Sequence, residues 1–189
     1  VYSRFCKWRD DGTLLRIFQE LNADADYENL CIDSTSIKAH PQSAGEKGAV
    51  NSENNQFIGV SHGGKTTKIH AVVDALGNPV HFLLTGGNIF DASAAVDLLS
   101  EVKISGSNIL GDKAYGTNSI RTYITEQRAS YTIPPKSNVI EPWFCDFHTY
   151  KERHLIECFF NKLKVFRRVA TRYDKLAVSF LASIWILLK

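Results

Sequence analysis

The stretch YKERHLIECFFNKLKVFRR, Tyr150–Arg168, decides how this chain reads. At about 100° per residue with Tyr150 at 0°, Arg153 falls near ~300°, Glu157 near ~340°, Asn161 near ~20°, Lys164 near ~320° and Arg168 back near ~0°. These six polar residues share a stripe roughly 80° wide, while Leu155, Phe159, Leu163, Phe166 and Ala170 gather on the opposite side. The spacing predicts one long amphipathic helix over 150–168 whose apolar face packs on a sheet. A solvated face carrying i,i+4 ion pairs such as Arg153–Glu157 is the plain alternative. Two acids elsewhere weigh against it, because each follows a short apolar strand-like run.

The first run is Leu30-Cys31-Ile32, which stops at Asp33, and the second is Ile109-Leu110, which stops at Asp112. Between them, Lys68–Asp74 and Val80–Leu84 alternate around the turn Leu76-Gly77-Asn78-Pro79 and predict a hairpin. Asp91 is expected to cap a helix reaching about Val102. Ser119–Gln127 reads as a helix, Tyr131–Ile133 as a strand, 136–149 as a loop and Leu176–Leu188 as a final helix. Residues 1–21 look helical, and Ala39–Gly64 reads as a long polar loop, a length that points to a functional segment. Strands with intervening helices in this order predict an α/β layered domain.

Composition sets the outer bounds. With 189 residues, 44% of them apolar and 22% charged, the chain fits one globular domain and excludes disordered, collagen-like and disulfide-stapled classes. The formal net charge of +2 does not by itself mark a nucleic-acid binder. It conceals an asymmetry: residues 1–112 hold 9 Lys and Arg against 14 acids, a net of −5, and residues 113–189 hold 13 against 6, a net of +7. Cys6, Cys31, Cys145 and Cys158 lack metal-site or redox spacing, so buried reduced thiols are expected. No signal peptide is expected at the charged N-terminus, and Ala177–Leu188 is shorter than the roughly 17–25 residues that span a bilayer. A cytoplasmic chain with no membrane partner is expected. No Met is present and the sequence begins at Val1, so either a non-standard start codon or, the favoured reading, part of a longer translated product is expected.

Carboxylates at strand ends and on a helix packed against the same sheet can converge on one point. Asp33, Asp112 and Glu157 would then form an oxygen cage for Mg²⁺, and a pair of such ions suits phosphoryl displacement. Arg153, Lys164 and Arg168 beside the acid would hold nucleic-acid phosphates.

Tyr150-x₂-Arg153-x₃-Glu157-x₆-Lys164 matches the Y-R-E-K signature of bacterial insertion-sequence transposases of the DDE type, and the chain resembles their insertion-sequence-5-like branch. RHLIECFFNKLKVFRRVATRYDKLAVSFLA is similar to that family's catalytic helix and tail, GVSHGGKTTKIHAVVDALGNP to its first hairpin, CIDSTSIKAH to its first Asp segment and ILGDKAYG to its second. The resemblance implies an RNase H-like fold, a mixed five-stranded sheet flanked by helices. It implies Asp33 on the first strand, Asp112 just after the fourth and Glu157 on a helix, together binding two Mg²⁺ or Mn²⁺ ions. It implies cleavage at transposon ends and strand transfer into target DNA by a homodimer on double-stranded DNA, near the nucleoid. Tyr150, Arg153 and Lys164 would contact DNA near the cleaved end. The family often has another acid shortly after the Tyr of the second Asp segment, where this chain has Gly116-Thr117. Residues 1–26 would be a remnant of an N-terminal helical DNA-binding region, and 27–189 the catalytic domain.

Two rival readings remain. One is a truncated, inactive remnant that binds transposon ends without cutting. The other is a P-loop NTPase, because Gly59-Val-Ser-His-Gly-Gly64-Lys65-Thr66 fits GxxxxGK[ST]. No buried strand precedes that motif and an alternating strand pattern follows it, so Gly63, Gly64 and Lys65 read better as a flexible basic loop beside the site, touching DNA. His70 and His81 are expected to be structural, Asp74 to end a strand, and Phe159, Phe160 and Phe166 to lie in the core. Trp143 is the candidate for stacking on a base.

Overall fold

The computed structural model describes residues 1–43 and 56–187. Its elements are α1 (Tyr2–Asp10), α2 (Thr13–Glu20), β1 (Asn29–Ala39), β2 (Gly59–Ser61), β3 (Gly64–Val73), β4 (Pro79–Gly86), α3 (Asp91–Ser100), β5 (Asn108–Leu110), α4 (Asn118–Glu126), β6 (Ser130–Thr132), α5 (Phe147–Tyr150), a 3₁₀ turn (Lys151–Arg153), α6 (His154–Lys164), α7 (Arg167–Ala170), β7 (Thr171–Arg172) and α8 (Ala177–Leu187).

One mixed sheet organises them. β4, β3 and β1 pair antiparallel in that order, and β5 and β6 continue parallel to β1. The sheet has seven strands where five are expected from the sequence. The two additional strands are short: β2 prolongs the edge of β3, and β7 runs parallel to the far end of β1 at Lys38 and Ala39. β1 also runs further than the apolar run Leu30–Ile32, because Ser34–Lys38, polar but for Ile37, pair with β3. Of the long loop expected over Ala39–Gly64, residues 44–55 lie outside the described residues.

Both faces of the sheet are covered, as the hydrophobic pattern requires. On one face Cys31, Ile37, Ile69, Ala71, Phe82 and Leu84 meet α6 and α8 through Ile156, Phe159, Phe160, Leu163, Phe180 and Ile184. On the other, Leu30, Ile32, Val72 and Ile109 meet α3 and α4 through Ala95, Leu98, Leu99, Ile120 and Ile124. Phe18 of α2 joins the first core and lies against Phe82 and Trp185. Gly12 at φ +76° separates α1 from α2, where one helix is expected. The helix expected over 150–168 is also broken: Phe166 is extended at ψ 107°, so Arg168 sits on α7 and off the stripe. At the break Phe166 is exposed and not part of the core.

Other expectations resolve locally. Asp74 is buried at the β3–β4 turn and accepts from the backbone N–H groups of Leu76 (3.0 Å) and Asn78 (2.7 Å), with Gly77 at φ +81°. The GxxxxGK[ST] segment folds as a hairpin, with Ser61 paired to Gly64 across His62-Gly63 and no helix after it, so it makes no P-loop. Trp143 is a structural residue: its Nε1 donates to the Ile133 carbonyl at 2.7 Å, and the Arg121 guanidinium covers its face 3.8 Å from the ring centroid. Of the four free cysteines, Cys31 and Cys145 are buried, but Cys6 is half-buried and Cys158 exposed. No helix among the described residues is long and apolar enough to cross a membrane.

His70 is fully buried in β3, with Nε2 2.8 Å from Thr85 Oγ1. Burial pushes its imidazole down to about 4 from 6.5. Between those values the unfolded chain takes up a proton that the native state refuses, so stability falls as pH drops from 6.5 toward 4. The loss from this group is about 3 kcal/mol. Urea midpoints at pH 7 and pH 4.5 should differ less in His70→Gln than in wild type; an equal difference would refute the assignment.

Candidate active site

The sheet register brings the first two acids together. Cys31 of β1 pairs with Leu110 of β5 in parallel, and two residues further along the chain stand Asp33, still inside β1, and Asp112, just past the end of β5. Neighbouring strands run about 4.8 Å apart, so Asp112 leaves β5 beside Asp33, whose carboxyl feels its charge. β5 ends at Leu110, and the Asp112 carboxylate then closes its own turn by accepting from the Ala114 N–H at 2.7 Å. Gly111 makes this turn possible, because a Cβ there would stand 3.2 Å from Ile32 and 3.3 Å from Tyr115.

The third acid arrives from the α6 face. Arg153 Nη1 donates to Asp33 Oδ2 at 2.9 Å, and Nη2 of the same guanidinium donates to Glu157 Oε1 one helical turn on. The Arg153 guanidinium also lies 5.9 Å from the Tyr150 ring centroid. Tyr150, Arg153, Glu157, Asp33 and Asp112 therefore share one place. The i,i+4 pair that could have been a solvated ornament is tied to a strand 120 residues away. Lys164 ends α6 and is exposed, and Arg168 is exposed on α7. Neither is bonded to this group. Lys65 is exposed at the start of β3, six residues along the strand from Ala71, the partner of Asp33. Six residues of strand span about 20 Å, so Lys65 lies on a hairpin well away from the acids.

Electrostatics mark Asp33 as the strained member. Burial raises its carboxyl above the ordinary range, and the charge of Asp112 adds to this, while the Ser34 N–H and Arg153 oppose it. Burial also works against the Arg153 charge, yet Tyr150, Asp33, Glu157 and Asp112 together hold its guanidinium above its usual range. The donor set is three carboxylates, hard oxygen ligands of the kind Mg²⁺ and Mn²⁺ take. A positive group already bridges two of them. Among the described residues no three His, Cys, Asp or Glu side chains stand close enough to enclose one ion in this arrangement.

One residue here was read wrongly from sequence. Asp91 opens α3 but caps nothing: the N-cap position is Phe90, which makes no side-chain cap bond. The Asp91 carboxylate instead accepts from Ser34 Oγ at 2.6 Å and Lys68 Nζ at 2.9 Å, beside Asp33. Tyr115 is a second residue that sequence reasoning gave no role. Its side chain is buried and its hydroxyl has no hydrogen-bond partner among the described residues.

A mixed, doubly covered α/β sheet with one acid inside β1, a second just past the end of the adjacent parallel strand β5 and a third on a packed helix defines a class of carboxylate-centred domains. Residues 24–141 match the transposase DDE domain family, and the chain belongs to that family. Asp33 and Asp112 lie inside the matched span, and Glu157 lies beyond it. The chain is 41% identical over 132 residues to a Brucella ovis protein named as a candidate transposase for insertion sequence element IS6501, covering 64% of this chain and 98% of that one. It is thus a DDE transposase of the insertion-sequence kind, a mobile-element protein. Solved structures similar to it include the piggyBac transposase synaptic complex with hairpin DNA (TM-score 0.40, 15% identity, 61% of this chain and 24% of that chain). The catalytic domain of Mos1 mariner transposase is another (TM-score 0.36, 11% identity, 93% and 87%).

Proposed function

We propose that this chain cuts DNA at transposon ends and joins the freed end to target DNA, on an RNase H-like fold, with Asp33, Asp112 and Glu157 as the catalytic carboxylates. The observation that carries this reading is the register that sets Asp33 beside Asp112, together with the single guanidinium that links Asp33 to Glu157. These three carboxylates would hold two Mg²⁺ or Mn²⁺ ions, which when bound supply Lewis-acid stabilisation of charge on the attacking and leaving oxygens.

The chain's own residues do the rest. Half-buried Asp33 and its neighbour Asp112 keep a concentrated negative field beside the end of β5, which excludes phosphate unless positive charge intervenes. Arg153 supplies such charge in the free protein and stands ready to take a DNA phosphate when its carboxylate partners are otherwise occupied. Tyr150, packed on Arg153, offers a phenol held protonated by burial to a backbone oxygen of the end. Lys164 and Arg168, within the basic part of the chain, would anchor the flanking duplex, and Lys65 on its hairpin would touch DNA farther out. Residues 1–26 would belong to an end-binding region, and the working form would be a homodimer on DNA.

The test uses the full chain and duplex DNA carrying the inverted repeats that flank its gene. Cleavage that leaves a 3′-OH is expected with Mg²⁺ and not with EDTA. Metal-independent cleavage, or binding of the same DNA with no cleavage, would overturn the reading.

A further inference from the structure

Ser34 is held from two sides by two aspartates. Its backbone N–H donates to Asp33 Oδ1 at 2.8 Å, and its Oγ–H donates to Asp91 Oδ1 at 2.6 Å. Successive residues of a strand point to opposite faces, so Asp33 faces α6 while Ser34 faces α3. Asp91 is itself fixed by Lys68 Nζ, which donates to Asp91 Oδ1 at 2.9 Å and to the Ile89 carbonyl at 2.6 Å. Lys68 belongs to β3 and pairs in register with Ser36, so the clamp joins α3, β3 and β1. Burial works against the Asp91 charge, but Ser34 and Lys68 hold its carboxyl below the ordinary range. Burial, and after it the charges of Asp33, Asp91 and Asp112, hold the Tyr115 phenol above its ordinary range.

We propose that Asp91 is a positioning residue for the metal-binding carboxylates: through Ser34 it fixes the backbone that orients Asp33, and Lys68 holds it there. This inference rests on the reading of Asp33 and Asp112 as metal ligands. Hydrogen-bonded partners of ligating groups fix ligand orientation, and their loss typically weakens metal affinity about 10–100-fold. Asp91→Asn keeps the size and an acceptor for Ser34 but removes the charge that holds Lys68. Ser34→Ala keeps the N–H bond to Asp33 and removes the link to Asp91.

The experiment is a calorimetric titration of the full chain with Mn²⁺ alone, with the thermal midpoint of each metal-free protein measured beside it. Wild type and Asp97→Asn, an exposed change on α3, are expected to bind alike. Asp91→Asn and Ser34→Ala are each expected to bind about 10–100-fold more weakly. Lowered midpoints with unchanged Mn²⁺ affinity would mean that Asp91 only fastens α3 and would overturn the proposal. If Asp91→Asn fails to fold, Ser34→Ala decides alone: weaker Mn²⁺ binding supports the clamp, and wild-type binding refutes it. Wild type failing to bind Mn²⁺, or Asp33→Ala binding as wild type does, would instead sink the metal site itself and this inference with it.

Discussion

Asp112→Asn is expected to lower end cleavage by about a thousand-fold while leaving the metal-free fold as stable as wild type or more so. The two effects have one origin. Asp112 stands just past the end of β5, beside Asp33 within β1, and its charge helps raise the Asp33 carboxyl. Asn is nearly isosteric and its oxygen still accepts from the Ala114 N–H, so the turn survives. What disappears is a negative charge repelling a half-buried neighbour, and the free protein loses that repulsion. Catalysis needs the same charge. A liganded carboxylate contributes to several kcal/mol of transition-state stabilisation, and about 4 kcal/mol corresponds to roughly a thousand-fold in rate. The check pairs single-turnover cleavage of end DNA with a thermal melt in EDTA. A variant that cuts at the wild-type rate removes Asp112 from the site, and one that melts far below wild type shows the acid to be structural.

The same juxtaposition explains which parts of the site the sequence could carry. Asp33, Asp112 and Glu157 each have a local signal: an acid ending an apolar run, or one polar stripe on an amphipathic helix. Short-range patterns also sufficed for the β3–β4 hairpin, with its Asn78-Pro79 turn, and for the apolar face of α6. They failed where a distant partner decides. Ser34–Lys38, polar but for Ile37, follow the apolar run and carry no strand signal of their own, yet β3 on one edge supplies their ladder bonds. The break at Val165–Phe166 has no Gly or Pro to announce it, so the helical period runs through it and carries Arg168 along. Gly12 did offer a signal for the α1–α2 break, in its left-handed backbone preference. Asp91 shows the limit most clearly: an Asp before a helical run predicts a cap, and nothing nearby in sequence says that Ser34 and Lys68 will compete for it.

Arg172→Met is expected to cost about 4 kcal/mol of stability, and no neighbouring residue in the sequence foretells it. The side chain is wholly buried, the largest such side chain among the described residues. Its guanidinium donates to four acceptors: the Asp174 carbonyl at 3.0 Å, the Gln56 carbonyl and Thr67 Oγ1 both at 2.7 Å, and the Lys175 carbonyl at 3.1 Å. The Phe180 ring of α8 lies 5.2 Å from it. Burial pushes the group down to about 10 from 12.5, so keeping it charged inside the fold costs about 3 kcal/mol. Met removes that cost and fills similar space, which favours the variant. Against it stand four charge-assisted bonds worth about 1.5–3 kcal/mol each, one buried and three part-buried, whose acceptors would lose their donor. The stranded acceptors outweigh the relief by about 4 kcal/mol. The damage reaches the site as well, since Arg172 belongs to β7, which fastens the end of β1 at Ala39, and Thr67 belongs to β3. Urea denaturation followed by Trp fluorescence should show a much lower midpoint for Arg172→Met and a smaller drop for Arg172→Lys, which retains the charge and part of the bonding. A Met variant with the wild-type midpoint would mean that water satisfies those acceptors and that the buried cation contributes nothing net to the fold.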